Sequence, residues 1–332
     1  MKRRTLGSEG FSVSAIGLGC MGMTFAYGKS DEQQAINTLC RAFDLGVDFL
    51  DTAEVYGPFD NEELLGKALK GRKEKIKVAT KFGFNILPHG EGWERVKGVN
   101  SQPANIRKVA EASLKRLNIE AIDLFYQHRP DPAVPVEEVM GTLSDLVREG
   151  KILHVGLSEI SSDTLRRAHA VHPVTALQSE YSLWSRDVER DVLATCQQLN
   201  VGFVPYSPLG RGFLTGKLAA PSTLDKTDYR RTLPRFQPDA LAHNEKLVGQ
   251  LGEMAAGYNS TAAQLALAWV LAKWQHIVPI PGARKIAHLE DNCRAADIVM
   301  KADDIALLDR LFSAENVAGD RYSENEFALV ER

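Results

Sequence analysis

A parallel (β/α)8 barrel, the TIM barrel, is the α/β fold class that this 332-residue sequence predicts. Three observations carry the prediction: eight short apolar runs, helical periodicity in the stretches between them, and polar groups placed where successive runs end. Hydrophobic residues make up 44% of the chain and charged residues 25%, which suits a large buried core. Length alone suggests two domains, yet barrels of this kind commonly pass ~250 residues as one unit. The chain is therefore read as a single domain over residues 1–332.

Residues 3–14 are short, polar and interrupted by Gly7 and Gly10, as in a small hairpin capping one end of a barrel. The apolar runs follow at 15–19, 47–51, 76–81, 122–128, 152–158, 174–179, 201–207 and 277–282. Helical spacing marks 31–45, 61–70, 103–117, 135–149, 162–171, 187–199 and 260–273, with a further helix after the last run. Within 103–117, Ile106, Val109, Ala110, Leu114 and Leu117 recur at three- and four-residue steps while Arg107, Lys108, Glu111, Lys115 and Arg116 take the other face. Strands separated so regularly by helices pair in parallel through right-handed crossovers, and eight such units close into a ring.

A doubly wound open sheet is the competing architecture. Gly17-Leu-Gly-Cys-Met-Gly22 matches the glycine-rich dinucleotide fingerprint, but such a fingerprint opens directly into a helix. Here the next plausible start is near Ser30-Asp31, so the segment reads as a tight turn after the first strand. Three stretches are irregular: a long loop at 82–101, the proline-rich segment 208–238, and a polar tail from Ala314 placed over the barrel mouth.

The formal charge of -3 and the pI near 6.3 provide no basic field for nucleic acid or an anionic membrane. The N-terminus turns polar where a secretory signal needs its apolar core, and no run approaches the ~20 apolar residues of a membrane span. A cytoplasmic protein with a small-molecule partner is expected. Cys20, Cys40, Cys196 and Cys293 are too scattered for a disulfide framework or a zinc site, and no metal is expected.

Asp51 ends the second run, Lys81 the third and His128 the fourth, with Tyr56 on the loop beyond the second. Alone, each has an ordinary explanation as a cap, a snorkelling lysine, a strand-end imidazole or a loop aromatic. Neighbouring parallel strands bring them to one rim, where they complement one another. An ammonium beside a phenol favours its anion and eases proton release, so Lys81 is expected to acidify Tyr56. Asp51 would hold the lysine, and His128 would hydrogen-bond a substrate oxygen. The set suits proton transfer to an oxygen as a carbonyl becomes an alcohol.

Asp51-Thr-Ala-Glu-Val-Tyr56-Gly, Ala79-Thr-Lys81, Leu124-Phe-Tyr-Gln-His128, Gly156-Leu-Ser158, Gln178, Tyr206-Ser-Pro-Leu-Gly-Arg-Gly212 and Ile280-Pro-Gly-Ala-Arg284 resemble, in order, segments of the aldo-keto reductase superfamily. The likeness spans Thr5 to about Phe312 and is nearest the branch containing pyridoxal reductase-like and perakine reductase-like enzymes. It implies NADPH-dependent reduction of aldehydes or ketones, with Tyr56 as general acid in a tetrad with Asp51, Lys81 and His128. It also implies a cofactor site. Ser158 and Gln178 would bind the nicotinamide amide and Tyr206 would stack on the ring, with Cys20, Met21 and Asp51 close by. Ser207, Pro208, Leu209, Gly210 and Lys217 would line the pyrophosphate. Gly282, Arg284, His288, Asp291 and Asn292 would meet the adenosine end, Arg284 gripping a ribose 2'-phosphate with Lys285 as a second cation. That arrangement favours NADPH/NADP+ over NADH.

Ala283 and Glu159 depart from the residues many relatives carry there. Potassium-channel beta subunits resemble the chain around Arg129-Pro-Asp-Pro but typically carry Asn where His128 stands, so a nicotinamide-sensing regulatory subunit is the alternative. Trp93, Phe82, Phe25 and Trp184 are candidate apolar walls for the substrate.

Overall fold

A computed structural model describes residues 1–28, 30–90, 92–218 and 224–331. Strands β1 (Arg3–Leu6) and β2 (Phe11–Ser14) form the expected antiparallel hairpin. The barrel strands are β3 (Leu18–Gly19), β4 (Phe49–Asp51), β5 (Lys77–Phe82), β8 (Ile122–Gln127), β9 (Ile152–Ser158), β10 (Ala176–Glu180) and β11 (Gly202–Tyr206), with the hairpin β6 (Phe84–Ile86) and β7 (Val96–Val99) standing on the rim. All neighbours in the seven-stranded sheet β11-β10-β9-β8-β5-β4-β3 are parallel.

The eighth run closes the ring with hydrogen bonds of uneven kind. Val278 and Ile280 donate N–H to the Phe203 and Pro205 carbonyls of β11 at 2.9 and 3.0 Å. On the other side the carbonyls of Pro279 and Pro281 accept from Gly17 and Gly19 at 3.0 and 3.3 Å, but the prolines have no N–H to return. Only isolated parallel bridges therefore mark this strand, at Phe203 with Ile277 and Gly19 with Gly282. The glycine fingerprint serves this closure: a Cβ on Gly19 would lie 2.7 Å from the Ile280 carbonyl oxygen, and one on Gly17 2.7 Å from the Phe49 ring.

Helices α1 (Glu32–Asp44), α2 (Asp60–Ala68), α3 (Pro103–Leu117), α4 (Val136–Arg148), α5 (Ser162–Val171), α6 (Val192–Leu199), α7 (Pro238–Gly257), α8 (Ala262–Ala272), α9 (Ile286–Arg294), α10 (Ala302–Leu311) and α11 (Glu324–Phe327) complete the chain. Local chemistry sets several starts: Asp31 accepts from the Gln34 N–H before α1, and Thr261 and Gln264 form a reciprocal cap on α8. α7 lies beyond the sequence expectation. Its buried Leu241, Leu247, Val248, Leu251 and Ala255 have helical spacing, but three interspersed glycines dilute the pattern. The expected loop 82–101 contains the β6–β7 hairpin, and the expected helix 187–199 is a short 3-10 turn followed by α6.

The barrel interior is filled by Phe49, Ala79, Leu124, Tyr126, Ala176, Val204, Val278 and Ile280, closed below by Leu6, Phe11 and Val13 of the hairpin. Strand side chains alternate faces, so the residue two positions on points inward again, one layer higher. The positions two beyond these fillers include Asp51, Lys81, His128, Gln178, Tyr206 and Gly282. The polar groups named from the sequence are thus the top layer of the barrel's own core.

Candidate active site

Lys81 is fully buried, with Nζ donating to Asp51 Oδ1 at 2.5 Å, to the Thr52 carbonyl at 2.8 Å and to Tyr56 Oη at 3.4 Å. Gln178 Nε2 donates to the other Asp51 oxygen at 2.7 Å, so both carboxylate oxygens are held. The His128 ring meets the Tyr56 ring edge to face at 5.7 Å and the Phe84 ring at 5.0 Å. Asp51, Tyr56 and His128 line one cavity of about 860 Å³, within the usual range for a small-molecule site.

The loop carrying Tyr56 is fixed from behind by a residue the sequence did not single out. Buried Asn61, in the first turn of α2, donates its backbone N–H to the Tyr56 carbonyl at 3.2 Å and accepts from Thr52 Oγ1 at 2.7 Å. Its Nδ2 donates to the Cys20 carbonyl at 2.9 Å and to Thr24 Oγ1 at 2.8 Å. Thr52 presents its carbonyl to Lys81, so Asn61 links both halves of the constellation.

The electrostatics revise one expectation. Burial first, then the Asp51 carboxylate, push the Tyr56 phenol well above its ordinary pKa, and of the cations around it Arg129 gives the relief. Arg129 rather than Lys81 gives the larger downward pull, because Asp51 at 2.5 Å opposes the Lys81 charge, and the net direction for the phenol is upward. Burial, Lys81 and Arg129 hold the His128 imidazole well below its ordinary value, so both groups are neutral at pH 7. Burial pulls Lys81 down against the upward pull of Asp51, and burial raises Asp51 against the downward pull of Lys81.

Glu54, on the same loop, is pushed up to about 8 by burial and then by the Glu62 charge, against the pull of Arg116 and the Gly83 N–H. A folded-state value above the unfolded one means that stability is fully present at low pH and is lost as pH rises through about 8. Glu54→Gln is expected to remove that loss and be more stable than the parent at alkaline pH, read from urea midpoints between about pH 5 and pH 9. Parallel profiles for the two proteins would contradict this.

Of the expected cofactor residues, Met21, Asp51, Gln178, Tyr206, Ser207, Pro208, Leu209, Lys217, Gly282, Arg284, His288, Asp291 and Asn292 line the cavity. Cys20, Ser158 and Gly210 do not. Cys20 is buried with its thiol on the Leu18 carbonyl at 3.5 Å, Ser158 Oγ takes a 3.4 Å bond from Arg129, and a Cβ on Gly210 would strike the Trp184 indole at 2.4 Å. Asp291 is partly committed, accepting from Thr261 at 3.0 Å and Gln264 at 2.7 Å at the start of α8. Arg284 donates to the Tyr27 carbonyl at 3.0 Å. Lys285, Lys217 and Arg284 all depress His288 after burial does, which places a cluster of cations at that end of the cavity.

Among the expected apolar walls only Trp93 lines the cavity, with Phe25 behind it at 4.6 Å. Phe82 follows the inward-facing Lys81, so it points outward and packs on Phe125 at 4.9 Å. Trp184 stacks on Phe213 at 4.6 Å within the outer core. The tail reaches the mouth as expected: Tyr322, Asn325, Glu326 and Leu329 line the cavity, and Tyr322 Oη meets Tyr206 Oη at 2.6 Å. Arg321 clamps Glu159 with two bonds of 2.9 and 2.8 Å. Burial opposes ionisation of Glu159, but the Arg321 bonds and charge outweigh it and hold the carboxyl below its ordinary range.

A parallel barrel that presents an aspartate, a phenol and an imidazole to one cavity, with a buried lysine held behind them, defines a class of carbonyl-handling enzyme. Comparison with known proteins agrees. The Aldo/keto reductase family model matches residues 15–312, and the chain belongs to that family. A curated relative, the probable aldo-keto reductase 1 of Glycine max, is 45% identical over 319 residues, 96% of this chain and 90% of its own length. A glycerol dehydrogenase from Gluconobacter oxydans is 29% identical with a TM-score of 0.85, covering 94% of this chain and 95% of that one. An aldo/keto reductase from Klebsiella pneumoniae, solved in complex with NADP and acetate, is 27% identical with a TM-score of 0.73, covering 97% and 99%. Family membership makes the chain an oxidoreductase of the carbonyl-reducing class. No helix among the described residues is long and apolar enough to cross a membrane.

Proposed function

We propose that this protein reduces aldehydes or ketones to alcohols with NADPH, with Tyr56 as the proton donor. The observation that carries the reading is the convergence of Tyr56, Lys81, Asp51 and His128 at the top of the barrel beside one cavity. The regulatory-subunit alternative draws no support from the matched relatives, which are reductases and a dehydrogenase.

The residues present suit a nicotinamide dinucleotide. Two cavity-lining residues, His128 and Asn292, carry buried nitrogens without a hydrogen-bond partner among the described residues, and the cation cluster lies on the same wall as Asn292. Glu159 and Ser207, which directly follow Ser158 and Tyr206, have left-handed backbones at φ 56° and 48°. Strain of this kind, about 1–3 kcal/mol per residue, collects at functional sites. Gln178 and Tyr206 would hold the nicotinamide, Ser207 to Leu209 and Lys217 the pyrophosphate, and Arg284, Lys285, His288 and Asn292 the adenosine end. When bound, the reduced nicotinamide supplies the hydride.

The chain's own residues do the rest. Tyr56 keeps its proton until an oxygen beside it gains charge, because burial and Asp51 make its anion costly. Lys81 steadies the phenol oxygen at 3.4 Å as the proton leaves, and Asp51 keeps that lysine charged. Neutral His128 can donate a ring N–H to the same oxygen. The test is NADPH oxidation against a panel of aldehydes, diketones and cyclic ketones, with alcohol formation measured directly. Binding of NADPH without turnover of any carbonyl would count against the reading. Arg284→Ala is expected to weaken NADPH about 10-fold or more while changing NADH little, as loss of a charged phosphate contact predicts; equal losses measured by fluorescence titration would contradict it.

A further inference from the structure

Most cations on the cavity wall near Tyr56 are matched by carboxylates. Arg211 is paired with Glu180 at 3.0 Å and Arg230 with Asp228 at 2.7 Å. Arg129, which directly follows His128, lines the same cavity and forms no ion pair among the described residues. Its Nη1 donates to the His128 carbonyl at 2.8 Å and to Ser158 Oγ at 3.4 Å, and its Nη2 to Tyr322 Oη at 3.3 Å. These neutral acceptors fix the side chain without cancelling its charge. Nε–H and one Nη2 hydrogen are left without an acceptor among the described residues.

The carboxylates close enough to be considered are committed elsewhere. Glu159 receives both Arg321 bonds, the Tyr206 hydroxyl at 2.9 Å and the Glu180 N–H at 2.8 Å. Glu326 accepts from the Tyr229 hydroxyl and, at 2.7 Å, from Ser323 Oγ. Asp51 is held by Lys81 and Gln178. Glu159 acts on the half-buried Arg129 charge from a distance but forms no ion pair with it among the described residues, and on a cavity wall a ligand of opposite charge supplies the direct pairing.

We propose that Arg129 is a specificity-determining residue that binds a carboxylate on the substrate, so that the preferred substrates are oxo acids and aldehyde acids. This rests on the reductase reading and deepens it. The planar fork accepts a carboxylate through parallel bonds, and a neutral substrate of the same shape leaves those donors unmet. Trp93, Phe84 and Val96, which line the same cavity, supply apolar surface for the rest of the molecule.

The full-length chain is assayed with NADPH on a carboxybenzaldehyde and on benzaldehyde, and binding of benzoate and of benzamide is measured by calorimetry. Arg129→Met is expected to lower kcat/KM for the carboxylated aldehyde about 10- to 100-fold more than for benzaldehyde, and to weaken benzoate in parallel. Arg129→Lys is expected to restore part of the preference. Equal losses for both aldehydes, unchanged benzoate binding, or a loss of NADPH affinity in Arg129→Met would overturn the proposal. Benzoate binding through Arg129 in a chain that reduces neither aldehyde would instead remove the reductase reading and leave the carboxylate site standing.

Discussion

Tyr56→Phe lowers carbonyl turnover by about 10²- to 10⁴-fold, the usual contribution of a positioned proton donor, while NADPH affinity stays at the parent level. The separation follows from the geometry. Among the described residues the phenol oxygen hydrogen-bonds only Lys81 Nζ, at 3.4 Å, and that lysine keeps its bonds to Asp51 and Thr52 when the hydroxyl is gone. The ring itself is buried against Ala53, Val55 and Phe84, and phenylalanine preserves that packing. Single-turnover rates and a fluorescence titration of NADPH check the two halves separately. Undiminished turnover would remove Tyr56 from its role, and a matching fall in NADPH affinity would make its role structural.

Lys81→Met has the largest expected effect on stability. It leaves Asp51 buried with Gln178 as its one side-chain donor among the described residues, and losing one partner of a buried pair typically costs about 3–5 kcal/mol. The deficit depends on pH in a definite direction. Without Lys81, burial acts on Asp51 against the Gln178 bond but no neighbouring lysine, and raises its folded-state pKa further above the unfolded value. The variant's stability is then greatest below about pH 4, where Asp51 is protonated in both states, and falls as pH rises. Asp51→Asn combined with Lys81→Met is expected to recover much of the loss at pH 7, because it removes the orphaned charge. Urea midpoints for the three proteins across pH check this. A loss independent of pH, or a double variant no better than Lys81→Met, would contradict it.

The placement of these groups was legible from the sequence because strand periodicity is local. Asp51, Lys81, Gln178 and Tyr206 each stand two residues beyond an apolar barrel filler, and the strand order follows from the alternation of runs and helices. The same rule assigns Phe82 to the outside, since it is one residue from Lys81, and the apolar-wall expectation for it failed for that reason. What stayed hidden depends on contacts distant along the chain. The Arg321–Glu159 clamp and the Tyr206–Tyr322 contact join residues 162 and 116 positions apart, and no local pattern in the polar tail announces them. The net rise of the Tyr56 phenol stayed hidden because a field is a sum, in which burial and Asp51 outweigh the cations nearby. Asn61 looked like an ordinary first-turn residue of a helix until its four bonds to Tyr56, Thr52, Cys20 and Thr24 were seen together.

The central claim is that one bound oxygen is reached by both the phenol and the imidazole. A crystal structure of the chain with NADP+ and a carbonyl compound tests it most directly. The expected result is the substrate oxygen within about 3.2 Å of Tyr56 Oη and of a His128 ring nitrogen at once. A substrate oxygen bound out of reach of either group would contradict the account.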